Sequence, residues 1–205
     1  ETIINALALL GWSTENEIFS IDELIESFKL ENVQKAAAVF DLKRFNWVSS
    51  QQLAKLDENS FFEVIKPFME DEDISEDYPN YKKILLAMRT SKTNLKDIAH
   101  ATRPFFFELD GYEEKGVKKF LNESLETLTF ALEVLSKLTE WNETELDMAL
   151  IKVRDYFNLP IPKVNQPMRI ALVGSTVSPS LGLTLELFGK EKSLERIQKA
   201  IDFIS

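Results

Sequence analysis

QPMRIALVGSTVSPSLGLTLEL, residues Gln166 to Leu187, decides how the rest of the chain is read. Apolar residues at helical spacing open it, with Pro167 near the start. A Gly174-Ser175-Thr176-Val177-Ser178-Pro179 break follows, and a second apolar helical pattern closes it. Arg169 is the only charge between Lys163 and Glu186. A charge-free helix–loop–helix holding one arginine predicts an element buried on most sides and open to a partner on one.

Working outward, the helical period recurs almost everywhere. The pattern Ile3, Ala6, Leu7, Leu10 stops at Gly11, which reads as a C-terminal cap. Ser20-Ile21-Asp22-Glu23 is a capping box opening a helix through Phe28, because serine and Glu23 satisfy each other's backbone N–H groups. A short segment follows near 32–38. Asp41 caps the helix carrying Phe45, and Ser49 or Ser50 caps another through Leu56. Ser60 to Met69 is helical, kinked or restarted at Pro67, and the acidic run from Glu70 is a loop. Tyr81 to Met88 is helical, a break is expected at Thr90–Thr93, and Asn94 with Asp97 caps the next helix. Pro104 leads into Phe105-Phe106-Phe107, which reads as core. Asp110-Gly111-Tyr112 is a turn and the clearest boundary. Glu113 to Leu138 predicts one long amphipathic helix, and Asn142 with Glu145 starts another through Phe157. Gly189 caps, and Leu194, Ile197, Ile201 and Ile204 line a final helix. There is no alternating stretch and no fixed repeat. The fold class is all-α.

Composition sets the outer bounds. The 205 residues suit one large domain or two to three small ones. Cysteine is absent and His100 is the single histidine, which excludes a disulfide framework, a thiolate metal site and a histidine cluster. No basic region precedes an apolar stretch at the start. The longest uncharged run, Ile170 to Leu185, is 16 residues and too polar to span a bilayer. A cytoplasmic, monomeric protein without a membrane role is the expectation. The net charge of −10 speaks against a nucleic-acid binder, whose footprint is basic. Charge is uneven, however. Lys82, Lys83, Arg89, Lys92, Lys96 and Arg103 face one acid, Asp97, in their stretch, while Glu70 to Asp77 holds six acids in eight positions. Screening confines charge to about 8–10 Å, so a basic strip on an acidic body can hold phosphate. A solvated helix face is the plain alternative.

No catalytic constellation emerges. Gly182 to Lys190 lacks the spacing and the Ser/Thr of a phosphate-binding loop. The Glu70–Asp77 run lacks the glycine and spaced ligands of a calcium loop. No catalytic residue and no metal ligand is expected in this chain.

Two stretches carry a resemblance. Ile18 to Ile25 (IFSIDELI) with Val39 to Trp47 (VFDLKRFNW) resembles the segment after the class I signature of bacterial-type glutamyl-tRNA synthetases. Gln166 to Ser175, with Ser178-Pro179, Leu185 to Glu191 and Arg196, resembles their C-terminal end, and Leu9-Leu10-Gly11-Trp12 agrees. The resemblance covers essentially the whole chain. It implies the stem-contact and anticodon-binding part of a class I aminoacyl-tRNA synthetase: residues 1–57 a stem-contact domain, 58–111 and 112–205 two helical anticodon-binding subdomains. The catalytic domain with ATP and Mg would lie outside these residues, so this chain is expected to hold no cofactor and to be inactive alone. Arg89-Thr90-Ser91-Lys92 lacks the first lysine of that domain's Lys-x-Ser-Lys signature.

The same resemblance implies tRNA-binding residues. Arg169 matches an arginine near the anticodon. Ser178, Pro179 and Leu181 match a loop and helix start holding anticodon bases, with a helix opening at Pro179 whose free N–H groups favour RNA acceptors. Arg89 and Ser91 fall where the first anticodon base is discriminated, with Lys92 and Lys96 beside them. Some relatives have arginine at Ser91, so serine leaves the choice between glutamate and glutamine tRNA open. Ser49 and Gln52, where relatives carry Asn and an aromatic or His, mark a divergent member or second paralogue. The rival reading is a helical protein-interaction module, favoured by the net charge. RNA binding requires Arg89, Lys92, Lys96 and Arg169 on one face.

Overall fold

The computed structural model describes residues 2–12, 14, 16–34 and 39–205. The all-α reading is borne out: among these residues the one β-type pairing is an isolated bridge between Trp12 and Val33. The chain forms two compact units, residues 1–73 with 92–100, and residues 74–91 with 101–205.

The first unit holds α1 (Thr2–Ala8), α2 (Ile21–Ser27), α3 (Leu42–Lys55) and α4 (Glu58–Asp71). Local chemistry sets their starts. Ser20 and Glu23 form the capping box, the Asp41 carboxylate accepts from the N–H groups of Lys43 and Arg44, and Asp57 caps α4. Ser49 and Ser50 start nothing: both lie inside α3, where the Ser50 hydroxyl donates to the Trp47 carbonyl at 2.7 Å. Helix α4 begins at Glu58 rather than Ser60 and runs through Pro67, taking Glu70 and Asp71 into its last turn. Gly11 is outside the left-handed region and caps no helix; its carbonyl accepts from Gln34 N–H at 2.7 Å instead. A 3-10 turn spans Leu30–Asn32, and the expected segment near 32–38 otherwise falls partly outside the described residues.

A buried polar cluster organises this unit. Asn5, 1% exposed, donates to the Glu17 carbonyl at 2.9 Å and accepts from Phe19 N–H at 3.0 Å. Gln52 donates to both Asn5 Oδ1 and the Phe19 carbonyl. This ties the segment before α2 to α1 and α3, and explains why a glutamine occupies position 52.

The second unit begins with α5 (Tyr81–Met88), whose Tyr81, Ile84, Leu85 and Met88 are buried. The break after it occurs as expected, and Asn94 Oδ1 accepts from Asp97 N–H at 2.8 Å to start α6 (Leu95–Phe106), which contributes to both units. The seven-residue spacing of Lys82, Arg89, Lys96 and Arg103 therefore makes no continuous helical stripe. Phe105 stacks on Phe188 at 4.7 Å, and Phe106 and Phe107 meet Tyr78, so the triplet packs on aromatic neighbours but stays half-buried rather than fully in the core.

The long helix expected over Glu113 to Leu138 is broken. It starts as α7 (Glu114–Gly116), widens into a π turn at Val117–Leu121, and restarts as α8 (Leu125–Ser136). Ser124 turns its hydroxyl back onto the Leu121 carbonyl at 2.6 Å, the local bond by which serine competes with helix. Then follow α9 (Glu143–Phe157), α10 (Ile161–Val173), α11 (Leu181–Phe188) and α12 (Lys190–Ile204). Helix α10 starts well before Pro167, which is buried inside it; Pro162 occupies the first turn, where a missing N–H costs little. Asn142 caps α9 and Gly189, at φ 75°, separates α11 from α12. Leu128, Leu135, Leu146, Met168, Ile170, Leu185 and Ile197 are fully buried in the shared core of α8 to α12.

Arg196 of α12, 2% exposed, crosses this core. Its guanidinium donates to the Leu172 carbonyl in the last turn of α10 and to the Phe107 carbonyl just past α6, at 2.6 Å for the latter. It also lies over the Phe188 ring at 4.5 Å. Burial lowers its pKa from the ordinary arginine value, against the pull of Glu108 and Glu195. Arg196→Ala should destabilise the chain by about 3 kcal/mol, since two buried carbonyls lose a charged donor. Urea unfolding checks this, and Arg196→Lys should recover less than half, because an ammonium lacks the fork.

Candidate functional site

Arg169 stands on α10, half-buried. Its Nε donates to Ser178 Oγ at 2.8 Å and its Nη2 to the Pro179 carbonyl at 3.2 Å. No carboxylate pairs with it, and Nη1 has no protein partner among the described residues. Burial pushes its pKa below the ordinary arginine value. The arginine therefore closes the hairpin across nine residues while keeping donor capacity for an external acceptor.

The loop between α10 and α11 is fixed at both ends. Gly174 leaves α10 at φ 73°, and a Cβ there would sit 2.8 Å from the Gly111 carbonyl, so only glycine suits both the turn and the approach. Glu113 N–H donates to the Gly174 carbonyl at 2.7 Å. The Glu113 carboxylate accepts from Thr176 N–H at 3.2 Å and Thr176 Oγ1 at 3.1 Å. Towards α11, Ser178 Oγ lies 3.1 Å from Oγ1 of fully buried Thr184, whose hydroxyl donates to the Ser180 carbonyl at 2.8 Å. Val177, at the tip, is exposed.

Helix α11 opens at Leu181, with Ser180 rather than Ser178-Pro179 as its cap. Its first-turn N–H groups are not free. Leu183 N–H donates to Ser180 Oγ at 3.3 Å, Ser180 Oγ donates to Glu143 Oε1 at 2.5 Å, and the Asp147 carboxylate lies against Gly182. In return Glu186 of α11 accepts Glu143 N–H at 2.7 Å and pairs with Lys83. Helices α9 and α11 thus exchange acidic caps, and the positive end expected to face RNA is satisfied inside the protein. Leu181 is buried, 3% exposed.

The remaining candidates are spread over both units. Arg89 follows α5, and Ser91 N–H donates to the Met88 carbonyl at 2.9 Å while its hydroxyl is buried without a partner. Both belong, with Arg169, Ser178, Pro179 and Leu181, to the second unit; Lys92 and Lys96 belong to the first. Neither lysine makes an ion pair among the described residues, and Lys96 is exposed. Glu113, Thr184, Glu143 and Asp147 were not foreseen from sequence. Gly182 carried the one available signal: a Cβ there would meet Asp147 Oδ1 at 2.5 Å, and a glycine within an apolar helix marks such an approach. Among the described residues no three acidic, histidine or cysteine side chains group to hold a metal ion, and no helix is long and apolar enough to cross a membrane.

A family model described as anticodon binding domain matches residues 20–201. The chain is similar to glutamate–tRNA ligase 2 of Thermoanaerobacter pseudethanolicus, 34% identical over all of this chain and 44% of that protein. It is similar as well to a glutamate–tRNA ligase of Thermodesulfovibrio yellowstonii, 33% identical over 98% of this chain and 45% of that protein. Among solved structures it resembles a glutamate tRNA ligase from Elizabethkingia meningosepticum, with a TM-score of 0.81 and 28% identity, over all of this chain and 41% of that one. The chain spans less than half the length of the curated relatives it matches.

The Asp147 carboxyl is pushed up from the ordinary 3.8 by burial and then by Glu143, with the Gly182 N–H opposing. An acid with a raised folded pKa costs stability as pH climbs above its unfolded value. Asp147→Asn keeps the acceptor for Gly182 and should raise the unfolding temperature at neutral pH. The gain should vanish below 3.8, where the wild-type group is protonated in both states. Thermal unfolding across that pH range checks it.

Proposed function

Since the chain belongs to the anticodon binding domain family, we propose that it recognises the anticodon arm of a glutamate-accepting tRNA as part of a glutamate–tRNA ligase. The match over residues 20–201 carries this reading. Arg169 supplies its chemistry: a half-buried guanidinium without an acidic partner, fixed by Ser178 and Pro179. Single-stranded loops are where RNA sequence is legible, because their bases can splay out to meet such donors.

In this reading residues 1–57 contact the tRNA stem and 58–205 the anticodon region. Activation of glutamate with ATP and Mg belongs to the part of the ligase outside these residues. The chain alone binds and does not aminoacylate. Ser91 is assigned to discrimination of the first anticodon base, where its small, buried hydroxyl leaves glutamine tRNA as a second substrate to test. Lys92 and Lys96 add attraction to phosphate.

A labelled glutamate-tRNA anticodon stem–loop should bind the chain at low salt, and Arg169→Ala should weaken it about tenfold, the equivalent of about 1.4 kcal/mol. Lys92→Ala and Lys96→Ala should instead flatten the salt dependence by about 0.7 per lost phosphate contact. Absence of binding at low salt, or indifference to Arg169→Ala, rejects the proposal.

A further inference from the structure

We infer that Glu113 and Thr184 are positioning residues for Arg169, an inference that rests on the RNA-binding reading above. They act from opposite ends of one loop. The Glu113 carboxylate holds Thr176 by backbone and hydroxyl together, at 3.2 and 3.1 Å. Thr184 holds Ser178, and does so with a defined direction. Its own hydroxyl hydrogen goes to the Ser180 carbonyl at 2.8 Å, so its oxygen is left to accept from Ser178 at 3.1 Å. Ser178 Oγ, its hydrogen shared between Thr184 Oγ1 at 3.1 Å and the Pro179 carbonyl at 3.0 Å, presents a lone pair to Arg169 Nε at 2.8 Å. A chain of donors runs Arg169 to Ser178 to Thr184 to the Ser180 carbonyl, with the Pro179 carbonyl accepting from both Arg169 Nη2 and Ser178 beside it.

Close packing reinforces the Glu113 end. A Cβ on Gly116 would approach Ile170 Cδ1 to 3.0 Å and Thr176 Cγ2 to 3.2 Å, so the turn carrying Glu113 lies against both α10 and the loop. Between the two anchors stands exposed Val177. An unrestrained arginine carries about 2 kcal/mol of rotamer entropy that binding would have to overcome. The loop removes much of that before any ligand arrives, as supporting residues do for a first contact shell. The Glu113 side chain is exposed, and at fully buried Thr184 valine keeps the branched shape while removing the hydroxyl.

The test uses the 205-residue chain and a fluorescent glutamate-tRNA anticodon stem–loop. Glu113→Ala and Thr184→Val should each weaken binding about three- to tenfold, Glu113→Ala with an unfolding temperature near wild type and Thr184→Val with a lower one, since it removes a buried hydroxyl. Thr184→Ser restores the hydroxyl and should stay within about twofold. On the Arg169→Ala background, Thr184→Val should add nothing, because its effect passes through the arginine. Wild-type binding by both Glu113→Ala and Thr184→Val, beside a weakened Arg169→Ala, overturns the positioning role and leaves the RNA reading standing. A Thr184→Val effect of equal size with and without Arg169 also overturns it. Indifference to Arg169→Ala defeats the RNA reading itself. If Thr184→Val fails to fold, Glu113→Ala, alone and with Arg169→Ala, decides by the same criteria.

Discussion

The second unit depends on one buried cation. Among the described residues no carboxylate hydrogen-bonds Arg196; its charge is met by carbonyls at the ends of α10 and α6 and by the face of Phe188. Helix ends leave carbonyls unsatisfied and carry partial negative charge, so a guanidinium that serves two of them answers both needs. Phe188 in turn stacks on Phe105, so a single sandwich of Arg196, Phe188 and Phe105 registers α6, α11 and α12. The Leu172 carbonyl lies two residues before Gly174. The loop carrying Ser178 therefore leaves a helix end that Arg196 has already fixed.

Several of the acids behind the net charge of −10 are used inside the fold. Glu143, Asp147 and Glu186 are occupied in capping α9 and α11 and in pairing with Lys83. Glu108 is pulled down to about 2 by Lys192 and Lys199. Such acids are structural, and at about 8–10 Å screening blunts their reach. Net charge is thus a poor guide to what a particular concave or looped surface accepts.

Local chemistry was readable and long-range chemistry was not. Ser20 with Glu23, Asp41, Asn94 with Asp97, Asn142 and Gly189 all mark element ends, because a cap is a contract between residues three or four apart. The break at Asn122–Ser124 was hidden, since Phe120, Leu121, Leu125 and Leu128 keep helical spacing across it. The start of α10 was missed because Pro167 looked like an entrance, whereas surrounding helices bury it in the interior. At the site, Arg169 stood out as a lone charge, and its pairing with Ser178 follows once the hairpin closes. Glu113 and Thr176 are 63 residues apart, and no periodicity links them.

Affinity and reading place different demands on a protein. Attraction to phosphate needs positive charge at the surface, and Lys96 is exposed with no ion pair among the described residues. Reading needs a donor whose direction is set before the ligand arrives. Arginine is suited to that only when its flexible stem is restrained, and burial alone would leave its donors unsatisfied. Ser178 and Pro179 resolve the conflict by taking part of the fork and leaving Nη1 outside the protein's own network. The run Ile170 to Leu185 holds no charge, so the hairpin itself offers no carboxylate to take the remaining donors of the guanidinium.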